Sequence, residues 1–270
     1  MAGWAQAATA TGWSASAAGK CYLGSVFIAE PPKSKFDVHF NVGKIPVRVH
    51  PLFWLISLVF GAIAVRGSGV HVFVGVALWT AAVFVSILVH ELGHALTAKA
   101  HGWPPRIVLY SMGGLAIYSP SGQSRRARIL IDFMGPGAQF ILGGLIVLGI
   151  VLTGHSVALV PGMDFTTIGS GPSFVLAGGR LALFLHFMLF VNIFWGLLNL
   201  VPVQPLDGGH IAKTVLEKYR PRDSWAAALK LGIGAAATIA VASLLLGYGY
   251  FIAIMFGILA YQNWQMLQAT

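Results

Sequence analysis

The chain contains few charged residues and almost no cysteine. Only 9% of its 270 residues are Asp, Glu, Lys or Arg, whereas about a quarter of the residues in a typical soluble domain are charged. Hydrophobic residues make up 57% of the chain, and the mean hydropathy is +0.78. This composition excludes an ordinary soluble globule and predicts a polytopic membrane protein. The single cysteine, Cys21, excludes an internal disulfide and a cysteine-ligated zinc site.

Apolar runs separated by short polar connections predict about six transmembrane helices, because about 20 helical residues cross the hydrocarbon core of a bilayer. The predicted spans are residues 51–65, 72–98, 129–153, 174–201, 226–246 and 250–267. We expect residues 1–45 to form a flexible cytoplasmic extension and residues 46–270 to form one membrane domain. The fold class is therefore an all-α polytopic membrane protein.

The basic residues cluster on one side of the predicted spans. All but two of the 17 lie before the first span, between the second and third, or between the fourth and fifth: Lys20, Lys33, Lys35, Lys44, Arg48, Lys99, Arg106, Arg125, Arg126, Arg128, Lys213, Lys218, Arg220, Arg222 and Lys230. The positive-inside rule therefore predicts that both termini are cytoplasmic. Topology and contact with anionic lipid account for the net charge of +9, so we expect no nucleic-acid partner.

A His-Glu-x-x-His pattern lies near the end of the second predicted span. His90 and His94 are about 40° apart around a helix axis, so both imidazoles can reach one metal ion. Glu91 lies beside them and can act as a base toward a water molecule. Three such residues in an apolar helix are costly in lipid, which favours a functional role over an ordinary packing role.

A third ligand has to reach the same depth in the membrane. The fourth predicted span runs in the same direction as the second and is followed by Asp207, in the segment Asn199–Leu200–Val201–Pro202–Val203–Gln204–Pro205–Leu206–Asp207–Gly208–Gly209. Taken alone, Asp207 before two glycines is typical of a turn. With the two histidines, it would complete a His-His-carboxylate set that leaves one tetrahedral position open, as in catalytic zinc sites.

These two motifs together resemble those of the site-2 protease family of intramembrane zinc metalloproteases, peptidase family M50. The resemblance covers roughly residues 45–215. It implies one Zn²⁺ ion held by His90, His94 and Asp207, with Glu91 as the catalytic base and Asn199 as a donor near the scissile carbonyl. It also implies a small membrane-associated β-hairpin at residues 107–118, between helices 2 and 3, onto which an extended substrate could add as a strand.

The implied function is hydrolysis of peptide bonds in or near transmembrane segments of membrane protein substrates, in the inner (plasma) membrane with the active site toward the cytoplasm. The implied partners are the substrate and the bilayer, and the oligomeric state stays open. Three alternatives also stay open: a metal transporter, a non-proteolytic zinc-binding scaffold and a membrane metalloprotease with soluble substrates. Gln139 replaces the Asn found in many members after the Gly135–Pro136 pair, and Asn192, His186 and His210 are further candidates for assisting the site.

Overall fold

The computed structural model describes residues 30–66, 69–111, 113–119, 124–158, 167–170, 172–174, 179–246 and 250–270. The helices are α1 (Pro51–Ala64), α2 (Val72–Ala100), α3 (Arg125–Leu152), α4 (Arg180–Phe190), α5 (Gly196–Asn199), α6 (Asp207–Tyr219), α7 (Ser224–Leu245) and α8 (Tyr250–Gln268). A π-helical turn, Val191–Trp195, joins α4 to α5 into one helix. The strands are β1 (Val38–Val42), β2 (Ile45–Val49), β3 (Arg106–Tyr110), β4 (Gly113–Ile117), β5 (Val157–Ala158) and β6 (Thr167–Ile168).

Among the described residues, four helices are long and apolar enough to cross a membrane. They are Val72–Ala100, Arg125–Leu152, Arg180–Asn199 and Ser224–Leu245. Large apolar side chains are exposed along them, such as Leu145 on α3 and Leu245 on α7, and lipid is the environment in which such exposure is stable. The chain is therefore a multi-pass membrane protein.

The predicted count of six spans stays a prediction. α1 has only 14 residues, about 21 Å at 1.5 Å per residue, which is shorter than a hydrocarbon core of about 30 Å. α8 has 19 residues but is not among the four helices above. Two helices begin at other residues than the predicted spans: α3 begins at Arg125, before residue 129, and the fourth helix begins at Arg180, after residue 174.

The predicted hairpin is confirmed as β3 and β4, which pair antiparallel. A second hairpin, β1 with β2, joins it through a parallel pairing of β2 with β3, giving one four-stranded sheet in the order β1-β2-β3-β4. This second hairpin was not predicted, and β1 lies within the residues assigned to the N-terminal extension. Residues 1–29 of that extension are outside the described part of the chain, so the boundary at residue 45 stays a prediction.

An ion-pair cluster fastens the segment before β1 to the sheet. The buried Arg48 on β2 donates to Glu30 and to Asp37, both over 3.0 Å, and Glu30 also pairs with Arg106 at 2.6 Å. Burial raises the pKa of the Asp37 carboxyl, but hydrogen bonds from the Ser34 amide and the Arg48 guanidinium outweigh it and hold that pKa below its ordinary value.

The sheet packs against the half of α2 that carries the His-Glu-x-x-His pattern. Ile87 and Ala95 on α2 share a buried cluster with Ile45, Val47, Val49, Phe53, Ile107 and Leu109. A separate cluster joins Val203, in the connection before α6, to Ala236 on α7 and Phe256 on α8. These two clusters hold the sheet and the connection before Asp207 on either side of the candidate site.

Candidate metal centre

α2 presents two imidazoles and a carboxylate within one and a half turns. His90, Glu91 and His94 are all buried, with 4–7% of each residue exposed. The ring centroids of His90 and His94 are 4.7 Å apart, and their Nε2 atoms are separated by 3.0 Å. The spacing of four residues therefore brings two ring nitrogens to one point, as the sequence predicts.

Asp207, the first residue of α6, meets both imidazoles. Its Oδ2 lies 3.2 Å from His90 Nε2, and its Oδ1 lies 3.4 Å from His94 Nε2. The three candidate ligand atoms all lie within 4.8 Å of one another, and no other such group of metal-binding side chains occurs among the described residues. The set predicted from two distant segments is thus brought together.

Hydrogen bonds on the far sides of the rings fix which nitrogens face the centre. His90 Nδ1 lies 2.9 Å from Gln139 Oε1, and His94 Nδ1 lies 2.7 Å from the Ile131 carbonyl oxygen. Because both partners are acceptors, each Nδ1 carries the proton and each Nε2 presents a lone pair.

The converging atoms fit a cation. Two imidazole lone pairs and a carboxylate repel one another unless a positive charge lies between them, and Asp207 Oδ2 is buried without a hydrogen bond from any described residue. Two histidines and one carboxylate, with a position left for water or substrate, are the donors of catalytic zinc sites. The residues present therefore fit Zn²⁺.

Glycines make the close approach of α3 and β4 possible. A Cβ atom at Gly135 would lie 2.1 Å from His94 Nε2, and one at Gly114 would lie 2.4 Å from Glu91 Cγ. The sequence points to the Gly135–Pro136 pair only through the family resemblance. The structure gives this pair a physical reason, since any side chain at residue 135 would occupy the space of the imidazoles.

The segment that leads to Asp207 packs just as closely against the start of α6. A Cβ at Gly208 would lie 2.2 Å from the Leu200 carbonyl oxygen, and one at Gly209 would lie 2.7 Å from the Val203 carbonyl carbon. The two glycines after Asp207 therefore let the start of α6 lie directly against residues 200–203, which follow α5.

The other candidate residues have different surroundings. Asn199 is half-buried at the end of α5, and its Nδ2 donates to the Trp195 carbonyl oxygen over 3.0 Å. Asn192 is fully buried in the π-helical turn and donates to Ser86 Oγ over 2.8 Å, which joins that turn to α2. His210 is exposed on α6. The groups bonded to the histidines are instead Gln139 and the Ile131 carbonyl, and no side-chain pattern could have indicated the latter.

Comparison with known proteins identifies the family. The sequence profile of Peptidase family M50 matches residues 78–243, a segment that includes both histidines, Glu91 and Asp207. The chain belongs to peptidase family M50. This assignment confirms the predicted family and groups the chain with the zinc metalloproteases.

Individual relatives agree with the assignment. The chain is 29% identical over 180 residues to zinc metalloprotease MJ0392 from Methanocaldococcus jannaschii, a match that covers 66% of the chain and 45% of that protein. It is 30% identical over 135 residues to protein sll0528 from Synechocystis, covering 49% of the chain and 30% of that protein. Each match spans less than half the length of the relative.

A solved structure has the same fold. The chain resembles the site-2 protease from Methanocaldococcus jannaschii with a TM-score of 0.54 and 22% sequence identity, covering 86% of this chain and 95% of that one. The predicted fold class, a helical membrane protein with a small β element, is thereby confirmed for this member of peptidase family M50.

Proposed function

We propose that the chain is an intramembrane zinc metalloendopeptidase that hydrolyses peptide bonds in or near transmembrane segments of other membrane proteins. One observation carries the proposal. His90, His94 and Asp207 converge beside the buried carboxylate of Glu91, within a bundle of apolar helices. Family membership supports the class of reaction, and the apolar helices support a membrane-protein substrate.

The three ligands and Glu91 have separate tasks in this mechanism. His90, His94 and Asp207 would hold one zinc ion, which, when bound, would acidify a water molecule and polarise the scissile carbonyl. Glu91 accepts the proton of the attacking water and later donates it to the amine nitrogen of the leaving segment. The absence of a side chain at Gly114 leaves room for the Glu91 carboxylate beside β4.

The sheet supports a binding mode for an extended substrate. β4 is an edge strand of the described sheet, since its only strand partner is β3, and its Gly114 contacts Glu91. A substrate segment that adds to this edge would be hydrogen-bonded along its backbone and would pass close to the base. A helical segment has its amides already paired, so it would have to unwind first.

Asn199 is proposed to stabilise the oxyanion that forms during attack. Its Nδ2 atom carries two hydrogens, and the Trp195 carbonyl accepts one of them. The second hydrogen is available to a substrate oxygen. Removing such a donor costs about 10²- to 10³-fold in rate in other hydrolases.

The charge distribution supports one orientation in the membrane. Arg125, Arg126 and Arg128 lie on the first turn of α3, and Lys213 and Lys218 lie on α6. The ends of α3 and α6 that carry these basic residues flank Asp207 and His94. The positive-inside rule therefore supports an active site toward the cytoplasm, with both termini on that side, in the plasma (inner) membrane.

The deciding experiment compares purified wild type with Glu91→Gln in liposomes. Zinc content and cleavage of a panel of single-span membrane proteins are measured on both. We expect about one zinc per chain in each protein and cleavage by wild type alone, because the substitution removes the base and leaves the ligands in place. Equal cleavage by both would remove Glu91 from the mechanism, and absence of zinc would overturn the proposal. Zinc without cleavage of any substrate would favour the non-proteolytic scaffold.

A further inference from the structure

Asn263, on the last helix, makes an unusual contact with the backbone before Asp207. Its side chain is fully buried. Its Oδ1 accepts from the Gln204 amide over 3.2 Å, and its Nδ2 donates to the Gln204 carbonyl over 2.7 Å and to the Leu259 carbonyl over 2.8 Å. One side-chain amide therefore satisfies both backbone groups of Gln204, as a neighbouring strand would.

The helix facing α8 is shaped to admit this side chain. A Cβ atom at Gly232 on α7 would lie 2.6 Å from Asn263 Oδ1. Phe256 on α8 and Ala236 on α7 pack around Val203, the residue before Gln204, and all three are fully buried. The pair α7 and α8 thus holds residues 203 and 204 by an apolar contact and by two hydrogen bonds.

Residues 203 and 204, which α7 and α8 hold in place, lead directly to Asp207, the proposed third zinc ligand. The Leu206 amide donates to the Val203 carbonyl over 2.8 Å, which closes a turn immediately before Asp207. Gly209 lies against the Val203 carbonyl on the other side of that turn. A displacement of residues 203–204 would therefore move the start of α6 and the carboxylate that it carries.

We propose that Asn263 is a positioning residue for Asp207, acting through the Gln204 backbone, and that α8 is thereby part of the metal centre. This inference rests on the proposed role of Asp207 as a zinc ligand. Asn263 lies outside residues 78–243, the part of the chain that matches the family profile, so the contact is not implied by the family motifs.

Removal of the Asn263 side chain would act first on the backbone of Gln204. An alanine would leave the amide and the carbonyl of Gln204 unpaired in a buried place, which is costly to the folded segment. The segment relieves this cost by shifting toward other partners or water. His90 and His94 stay in place on the rigid α2, whereas Asp207 moves with the shifted segment. The three ligands then no longer meet with the same geometry, so zinc affinity falls.

The test measures zinc affinity by competition with a chromophoric chelator in detergent, together with amide exchange at residues 200, 201, 203, 204 and 206. Asn263→Ala is compared with wild type and with Gln262→Ala, a matched control at the neighbouring buried position whose side chain bonds to no described residue. Gly232→Ala is the second variant, because its methyl group would displace Asn263 without removing the amide.

We expect Asn263→Ala and Gly232→Ala each to weaken zinc binding about tenfold, as is common for groups that support metal ligands, and to speed exchange of the Gln204 amide. Gln262→Ala should keep the wild-type affinity. Wild-type affinity in Asn263→Ala, or an equal loss in Gln262→Ala, would overturn the inference. If wild type itself bound no zinc, the proposed function would fail instead, so the two failures are distinguishable.

Discussion

Gln139 Oε1 accepts a hydrogen bond from His90 Nδ1 over 2.9 Å. About two turns earlier on the same helix, the Ile131 carbonyl accepts from His94 Nδ1. α3 therefore orients both imidazoles of α2, one through a side chain and one through the backbone. Gln139, the residue that departs from the common family pattern, therefore has a defined hydrogen-bond partner, His90.

This contact predicts that Gln139→Leu weakens zinc binding by about 10- to 100-fold, the usual effect of removing the partner of a ligating histidine. The buried Nδ1–H of His90 would lose its acceptor, and the ring would be free to turn. Chelator competition measures the change. Gln139→Glu keeps an acceptor oxygen at the same position and should lose less affinity, so an equal loss in both variants would contradict this explanation.

Gly135 and Gly144 on α3 provide a matched pair for the space beside the imidazoles. A Cβ at Gly135 would lie 2.1 Å from His94 Nε2, whereas one at Gly144 would have no described atom within 4 Å. Forcing a methyl group into a packed site costs about 1–3 kcal/mol, so Gly135→Ala should bind zinc roughly tenfold to a hundredfold more weakly. Gly144→Ala should bind zinc like wild type, and a similar loss in both would point to helix flexibility instead.

Gly114 and Gly113 on β4 provide a matched pair for the space beside Glu91. An alanine at residue 114 would press on the Glu91 carboxyl group, with Cβ 2.6 Å from Cδ, while residue 113 has no described neighbour within 4 Å of an added Cβ. We expect Gly114→Ala to keep zinc but to lower cleavage by about 10²- to 10⁴-fold, the range of general acid–base catalysis. Gly113→Ala should cleave normally. Loss of zinc from Gly114→Ala would show that the strain reaches the ligands.

The convergence of His90, His94 and Asp207 could be predicted because helical periodicity is strong. The four-residue spacing of His90 and His94 fixes their relative direction on any helix, and an apolar sequence fixes the helix itself. Asp207 could be added because alternating spans return to the same side of a membrane. Local helix geometry and the thickness of the bilayer are sufficient for both predictions.

The supporting contacts could not be predicted in the same way. The Ile131 carbonyl has no sequence signal, because every residue has a carbonyl group. Asn263 lies 56 positions after Asp207, and nothing in its local sequence distinguishes it from an interfacial amide. The hairpin of residues 38–49 was missed although it has a local signal, since Val38, Phe40 and Val42 alternate with the polar His39 and Asn41, a pattern typical of a half-buried strand.

An ion pair joins the ends of α3 and α6 outside the apolar spans. Glu217 on α6 accepts from Arg128 Nη1 over 3.1 Å and makes a second, shorter contact with Nη2. The hydrogen bond from Arg128 lowers the pKa of the Glu217 carboxyl below its ordinary value; burial opposes this shift, and Lys213 and Arg125 add to it. The pair thus ties the helix that carries Asp207 to the helix that orients both histidines.

A lowered pKa in the folded protein means that the unfolded chain binds more protons. The stabilisation is therefore complete above the pKa of an unfolded glutamate, about 4.3, and is lost as the pH falls through the lower folded value. We expect Glu217→Gln to be less stable than wild type by about 0.5–1 kcal/mol at pH 7, with the difference disappearing as the pH falls below the lowered pKa of Glu217. Thermal unfolding in detergent measures it. A constant difference for Glu217→Gln at every pH would show that the charge of Glu217 is not the cause.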